Sequence, residues 1–430
     1  MSATTTVPHA PSANDTGDTA PIRVLIADKF EASGVATLEA RGFAVTVDPE
    51  LSPETLPAAV ANLKPQVLVV RSTKVKADAI NASESLELIV RAGAGYDNID
   101  VAAASRRGIL VSNCPGKNAI AVAELAWALI LSCDRRVPDQ AAELRAGTWN
   151  KKEYQKAQGL AGRTLGLVGF GQIAREVAKR AKAFGMPVVA WSRNLTEAQA
   201  AEAGVGWCAN LLNVAKLADV VSVHVAATPD TEKLIGEKFF SLLKDGSTFI
   251  NTSRGSVVDA QALAAAVRDK KVRAGLDVFA QEPAGATGQF ADPIVTLPGV
   301  YGTHHVGAST DQAQNAIAAE TVRIIEVFEA TGQAPNCVNR AAATPATELL
   351  SIRHLNRPGV LAHVFYTIGQ AGINVEEMEN VIYEGAEAAC ARIHLDAPLS
   401  KEHLDAIRAN PNVLAIATTT LVRRKAGAKR

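Results

Sequence analysis

Two adjacent histidines stand in YGTHHVGAST, residues 301–310. An imidazole exchanges protons near neutral pH, so it is the side chain best suited to take one from a substrate hydroxyl. Most histidines are surface or satisfied core residues, and the pair alone leaves open whether either acts. A second stretch with chemical content lies upstream. Gly169-Phe170-Gly171-Gln172-Ile173-Ala174 directly follows the apolar LGLV and opens the helical REVAKRAKAFG. A glycine turn between strand and helix lets the backbone approach a pyrophosphate, and the helix N-terminus adds N–H donors and partial positive charge. Gly169, Gly171, Gln172 and Ile173 are therefore expected to bind a dinucleotide. The next strand, PVVAW, ends in Ser192 and Arg193, where an NAD site usually places an acid for the ribose hydroxyls. Nothing there repels a 2′-phosphate and Arg193 offers it a partner, so NAD is expected with NADP left open.

Such groups need a scaffold, and composition bounds it. A chain of 430 residues, 48% apolar, exceeds one core and is expected to form two or three domains. Lys+Arg 44 balances Asp+Glu 44, so the field that gathers nucleic acid or anionic lipid is absent, and neither partner is expected. Cys114, Cys133, Cys208, Cys337 and Cys390 lie far apart, without zinc spacing or disulfide density. No metal is expected, and the thiols read as reduced in a cytoplasmic protein. Residues 1–21 lack the basic start and apolar run of a signal peptide and read as a disordered tail.

From residue 22, IRVLIAD, FAVTV, QVLVV and LELIV alternate with Ala-rich helical stretches; a second series runs through TLGLVGFG, PVVAW, DVVSVH, STFIN and VRAGLDV. This alternation predicts an α/β fold with two doubly wound parallel sheets, each covered by helices on both faces. Between them, residues 118–147 read as a long helical passage whose apolar run is too short for a bilayer and suits a core or subunit interface. After the helical DQAQNAIAAETVRIIEVFEATG, the segment NRAAATPATE reads as a linker. The last roughly 80 residues follow a β-α-β-β-α-β order, the ferredoxin-like arrangement. The terminal RRKAGAKR reads as a frayed, solvated end.

RAGAGYDNIDV (91–101), GFGQIAREVAKRAKAFGM (169–186), INTSRGSVVD (250–259), AGLDVFAQEP (274–283) and HVGAST (305–310) together resemble the D-isomer-specific 2-hydroxyacid dehydrogenases. The resemblance implies a Rossmann-type nucleotide domain, 119–306, inserted in a flavodoxin-like substrate domain, 22–118 and 307–340. It also implies hydride transfer between C2 of a 2-hydroxy acid and a nicotinamide. His305 matches the family's base, Glu282 the acid that orients it, and Arg254 the arginine that pairs with the substrate carboxylate. A planar guanidinium suits that pairing better than an ammonium does. His304 is read as a neighbour. Asp277 matches a contact to the nicotinamide amide, and Thr252 and Ser253 lie on the loop passing the nicotinamide ribose.

Arg71 and Ser72 resemble a phosphate-contacting Arg-Ser, although many relatives have one more residue before the following valine. Arg91, Asn113 and Lys151 match further substrate contacts, and Trp149 and Lys151 resemble residues that reach a neighbouring subunit in some relatives. The implied reaction oxidises 3-phospho-D-glycerate to 3-phosphohydroxypyruvate, the first step of serine biosynthesis. Residues 347–425 resemble an ACT domain, a regulatory module that binds amino acids at paired interfaces. There His354, Asn356 and Asn374 match an L-serine site. A homo-oligomer, dimer or tetramer, is expected. The competing readings are an NADPH-linked glyoxylate or hydroxypyruvate reductase and a nucleotide-sensing binding protein without turnover.

Overall fold

The computed structural model describes residues 20–283, 287–341 and 344–421. The expected N-terminal tail lies outside the described residues except for Ala20 and Pro21, and the basic RRKAGAKR end lies wholly outside them. The chain divides into two compact units, one ending at Asn339 and one starting at Arg340.

In the first unit one sheet comprises β1 (Arg23–Ile26), β2 (Ala44–Val47), β3 (Val67–Val70), β4 (Leu88–Arg91) and β5 (Leu110–Asn113), in the order β2-β1-β3-β4-β5. All its pairings are parallel. The sequences RVLI, VLVV and LIVR of β1, β3 and β4 are buried almost throughout, as apolar runs covered on both faces must be. A second parallel sheet comprises β6 (Leu165–Val168), β7 (Val188–Trp191), β8 (Gly206–Trp207), β9 (Val220–Val223), β10 (Thr248–Asn251), β11 (Arg273–Leu276) and β12 (Val300–Gly302). Its order is β12-β11-β10-β9-β6-β7-β8, so the winding reverses between β6 and β9 and leaves a crevice at their carboxyl ends. The short strands β5, β8 and β12 are LVSN, GW and VYG, segments that hydrophobic alternation does not mark.

Two helices carry the chain between the sheets. Helix Ala119–Arg135 places Ala126, Trp127, Leu129 and Ile130 in a core with Leu165, Leu167, Val220 and Ile250 of the second sheet. Helix Asp311–Thr331 returns to the first sheet, packing Ile317, Ile324, Ile325 and Phe328 on Val24, Ile26, Val67 and Leu88. Each such side chain, fully buried, contributes roughly 1.5–3 kcal/mol. The returning helix starts where Thr310 Oγ1 accepts the Ala313 amide at 3.2 Å and stops at Gly332, whose φ of 68° suits a residue without Cβ. The expected single helical passage over 118–147 is two helices, Ala119–Arg135 and Val137–Arg145. Arg136 between them is left-handed at φ 52°, and Pro138 starts the second helix without an N–H.

The second unit is an antiparallel sheet of β13 (Glu348–Leu355), β14 (Val375–Ile382), β15 (Ala388–Leu395) and β16 (Val413–Thr420), ordered β14-β15-β13-β16. Helices Val360–Gln370 and Lys401–Arg408 complete the β-α-β-β-α-β order, and Leu350, Ile352, Val364, Ile368, Ile393 and Ile407 form its core. All five cysteines are free. Among the described residues no helix is long and apolar enough to cross a membrane.

The return to the first sheet is fastened by Glu320, 7% exposed. Its carboxylate accepts from Arg323 Nη2 at 2.6 Å and Asn336 Nδ2 at 2.8 Å, with Lys117 Nζ at 3.3 Å. The bond from Arg323, helped by Asn336 and Lys117 against the opposing pull of burial, holds this carboxyl down to about 2. Glu320→Gln should therefore cost roughly 2 kcal/mol near neutral pH. A depressed carboxyl stabilises fully above its unfolded value of about 4.3, and the contribution fades as the pH falls toward the folded value. Thermal melts of wild type and variant, followed from about pH 7 to about pH 3, should converge at the acid end; a constant gap would contradict this role.

Candidate active site

Parallel strands direct their carboxyl ends, and the loops that follow, toward one side of a sheet. Arg71 and Ser72 follow β3, Arg91 ends β4, and Asn113 ends β5. On the second sheet Gly169 and Gly171 follow β6, Ser192 and Arg193 follow β7, Thr252 to Arg254 follow β10, Asp277 follows β11, and His305 follows β12. Lys151 is different: it is exposed, at the start of the short helix Lys151–Tyr154.

The structure brings His305 and Glu282 together, with Nδ1 of the imidazole 2.7 Å from Oε2 of the carboxylate. An ionised carboxylate only accepts, so Nδ1 donates, and Nε2 of a neutral ring is left as the basic nitrogen. The other carboxylate oxygen, Oε1, is fixed by the Phe279 amide at 2.9 Å. Burial pulls the Glu282 carboxyl upward, but the His305 bond, the Phe279 amide and the charges of His305 and Arg254 outweigh it and hold it below its ordinary value. Glu282 is thus anionic across the neutral range. His304 is exposed.

Backbone geometry sets the imidazole. His305 is left-handed at φ 54°, a conformation that costs an ordinary side chain roughly 1–2 kcal/mol. Asp277, 1% exposed, accepts the next two amides: Val306 N reaches Oδ1 and Gly307 N reaches Oδ2, both at 2.9 Å. Thr303 Oγ1 also donates to Oδ1, at 2.7 Å. Successive amides converging on an anion form a concavity of the kind that binds carboxylates, and here the anion belongs to the protein. Asp277, expected beside the nicotinamide amide, is placed under the His305 loop with both oxygens engaged.

The Arg254 loop is fastened by Asn251, 1% exposed, whose side chain accepts Ser253 N at 3.0 Å and Ser253 Oγ at 2.8 Å and donates to Arg254 O at 3.0 Å. A Cβ at Gly255 would overlap the Phe279 backbone, so the arginine loop lies directly on the segment leading to Glu282. The Arg254 side chain meets Asp97, after β4, through Nε to Oδ2 at 3.2 Å and Nη2 to Oδ1 at 3.1 Å. Asp97, Asn251 and Thr303 were not singled out by sequence, although Asn251 in NTSRG carries the signal of an Asx turn.

The glycine loop fits a dinucleotide. At Gly169 φ is 89°, and a Cβ there would come within 2.5 Å of the His224 carbonyl oxygen; at Gly171 a Cβ would meet nothing within 4 Å. The first position must be glycine, and the second leaves open space above the start of helix Gln172–Ala183. That helix buries Ala174, Val177, Ala178 and Ala181, which locks its N-terminus against the sheet. The Gln172 side chain lies against Gly116, where a Cβ would displace its amide end and the φ of 76° favours glycine. Thr252 Oγ1 is buried without a protein partner, a donor left for a bound group. Arg193 Nη1 lies 3.3 Å from Asp230 Oδ2, so an acid does approach the end of β7, from another segment.

On the first sheet, Asp28 turns the Arg71 loop toward itself: the amides of Arg71, Ser72 and Thr73 reach its Oδ2 at 2.7, 3.1 and 3.2 Å, and Ser72 Oγ reaches Oδ1 at 2.8 Å. The expected phosphate contact Ser72 thus has its hydroxyl engaged with a carboxylate. Arg91 has a buried Nε without a partner, and burial, with Arg254 nearby, draws its guanidinium down to about 10. Asn113 Nδ2 donates to Ala94 O at 2.6 Å, which supports the loop after β4.

In the second unit His354 is 2% exposed, with Nδ1 2.8 Å from Leu355 O and Nε2 3.2 Å from Asn380 Oδ1. Asn356 Nδ2 donates to Ala386 O at 3.1 Å, and Asn374 Nδ2 to Glu376 Oε1 at 2.8 Å. Leu355 pairs with Ala388 and Val375 with Leu395, so Asn356 and Asn374 lie at opposite ends of β15. At about 3.4 Å per residue that separation is roughly 24 Å, and the pair cannot hold one small ligand within a single chain.

Residues 127–307 match the model of the NAD-binding domain of D-isomer-specific 2-hydroxyacid dehydrogenases. The chain is 43% identical over 268 residues to a hydroxypyruvate reductase of Thermotoga maritima, covering 62% of this chain and 85% of that one. This chain belongs to the D-isomer-specific 2-hydroxyacid dehydrogenases. It is 38% identical over 323 residues to a D-3-phosphoglycerate dehydrogenase of Methanocaldococcus jannaschii, covering 73% of this chain and 60% of that relative's length. Among solved structures, an NADPH-dependent glyoxylate/hydroxypyruvate reductase from Sinorhizobium meliloti, in complex with NADP and malonate, superposes with a TM-score of 0.65 at 28% identity, over 76% of this chain and 100% of that one. Within this family a nicotinamide cofactor accounts for the glycine loop and the unpartnered Thr252 hydroxyl.

Asp277→Asn separates the two placements of that aspartate. The amide would turn a donor toward one of the loop amides, so kcat should fall by roughly tenfold to a hundredfold as His305 loses its setting. NADH affinity, read by fluorescence titration, should stay within about twofold of wild type. A large loss of NADH affinity with kcat preserved would assign Asp277 to the cofactor instead.

Proposed function

We propose that this chain is a D-3-phosphoglycerate dehydrogenase that oxidises 3-phospho-D-glycerate to 3-phosphohydroxypyruvate with NAD, under control by L-serine. The observation that carries the chemistry is the His305–Glu282 hydrogen bond of 2.7 Å, which leaves one imidazole nitrogen basic. In the oxidative direction His305 Nε2 takes the C2 hydroxyl proton, and the Glu282 carboxylate stabilises the imidazolium that results. Arg254 grips the substrate carboxylate and polarises the C2 oxygen. A bound nicotinamide supplies the acceptor for the C2 hydrogen as hydride. In reduction His305 returns the proton to the carbonyl oxygen.

Phosphorylated substrate is favoured by the cations Arg71 and Arg91 opposite Arg254 and by the phosphoglycerate dehydrogenases among the relatives, of which the chain spans 54–63% of the length in archaeal and mycobacterial cases. NAD is favoured by Asp230, which holds Arg193 and would repel a 2′-phosphate. The second reading is reduction of hydroxypyruvate or glyoxylate with NADPH. It draws on the Thermotoga relative and on Asp28, which takes the loop amides that would otherwise face a phosphate. Serine control and a homo-oligomer, dimer or tetramer, belong together in this proposal. Asn356 and Asn374 share a pocket only when two copies meet, because one chain holds them at opposite ends of its sheet. His354 would have to leave one of its two present partners to join them.

His305→Asn should abolish turnover, with kcat lower by roughly a thousandfold, while NADH still binds; near wild-type activity would remove His305 as the base. Initial rates with 3-phosphoglycerate, glycerate, hydroxypyruvate and glyoxylate, each with NAD(H) and NADP(H), should be highest for the phosphorylated acid with NAD. Preference for an unphosphorylated 2-oxo acid with NADPH would select the second reading. Serine should inhibit wild type and leave Asn374→Ala uninhibited; a wild type indifferent to serine would deprive the C-terminal unit of its proposed role.

A further inference from the structure

We propose that Asp97 aims Arg254: it holds the side edge of the guanidinium so that the end edge alone faces the substrate carboxylate. The inference rests on Arg254 being the carboxylate clamp of the reaction proposed above. Arg254 belongs to the loop after β10 of the second sheet, and Asp97 to the loop after β4 of the first, 157 positions away in sequence. A guanidinium carries five N–H bonds in one plane. The side edge, Nε–H and one Nη2–H, meets the two oxygens of Asp97 at 3.2 and 3.1 Å. One Nη1–H bonds back to Ser253 O at 2.8 Å. Two N–H bonds remain, one on each terminal nitrogen; with Ser253 O on the inner Nη1–H, these two run parallel along the end edge of the planar fork. Their spacing matches the two oxygens of a carboxylate.

Room for this arrangement comes from Gly95, two residues before Asp97, because a side chain there would overlap Arg254 Nη2. Charge points the same way. Arg91 lies near enough to Arg254 for the two cations to oppose each other, and the Asp97 anion offsets that repulsion. Burial acts to raise the Asp97 carboxyl, but its bonds to Arg254 and the charges of Arg254 and Arg91 hold it low, so it is ionised at neutral pH. Asp97 reaches the reaction only through Arg254, which makes it a positioning residue. Its side chain is 52% exposed, and an ion pair so open to water adds little to stability. Removing it should therefore leave the fold intact and alter the aim of the arginine.

The test compares wild type with Asp97→Ala and Asp97→Asn in reduction of the preferred 2-oxo acid. For Asp97→Ala, kcat/KM should fall between roughly tenfold and a hundredfold, the scale of a misplaced clamp, while NADH affinity and Tm stay near wild type. Asp97→Asn keeps one acceptor in the same shape, so its loss should be intermediate. A second measurement needs no turnover: oxamate, a non-reacting 2-oxo acid analogue, should bind the NADH complex about tenfold more weakly in Asp97→Ala. Values of kcat/KM and oxamate affinity within about twofold of wild type would overturn the proposal. So would losses of Tm and NADH affinity in step with activity, because those mark a structural role. A wild type that binds oxamate yet turns over no 2-hydroxy or 2-oxo acid would refute the proposed reaction, and the oxamate comparison would still decide the part played by Asp97.

Discussion

One hydrogen bond sets the state of the His305 ring: Nδ1 donates to Glu282, and on a neutral ring the opposite nitrogen is left as the basic one. Three contacts support it. Phe279 fixes the far oxygen of Glu282, Asp277 holds the two amides after His305, and Gly255 allows the arginine loop to rest on the Phe279 backbone. None of these supports is large in energy by itself. Together they hold a left-handed histidine that, unsupported, would relax to another conformation.

Placement of these loops follows from sheet order. β10, β11 and β12 are neighbours, and they end in the loops that bear Arg254, Asp277 with Glu282, and His305. Parallel strands open all of their following loops toward the same side, so adjacency in the sheet becomes adjacency in the cleft. The first sheet contributes a different kind of residue: the cations Arg71 and Arg91, and the anion Asp97, which meets Arg254 across the cleft. The His305–Glu282 pair and Arg254 thus stand on one sheet, and Arg71, Arg91 and Asp97 on the other.

Much of this was readable in the sequence, for identifiable reasons. Buried parallel strands must be continuous apolar runs, and VLVV, LIVR and LGLV read as such. The glycine turn was legible because its position between a strand and a helix is itself a local pattern. His305, Glu282 and Arg254 were legible through ordered motifs. Long-range partners were not: nothing local in YDNID tells that its first aspartate meets an arginine 157 residues later. The bonds from the Val306 and Gly307 amides to Asp277 were not legible either, because they come from a loop whose shape depends on one left-handed residue. The break at Arg136 was hidden by helix-forming neighbours on both sides, although Pro138 was its visible trace. The buried setting of His354 follows from strand alternation with Leu350 and Ile352.

The contact of Gly255 with the Phe279 backbone has a wider consequence. It sets the loops after β10 and β11 one upon the other, so a side chain at Gly255 would have to push aside the Phe279 backbone and, with it, the amide that holds Glu282.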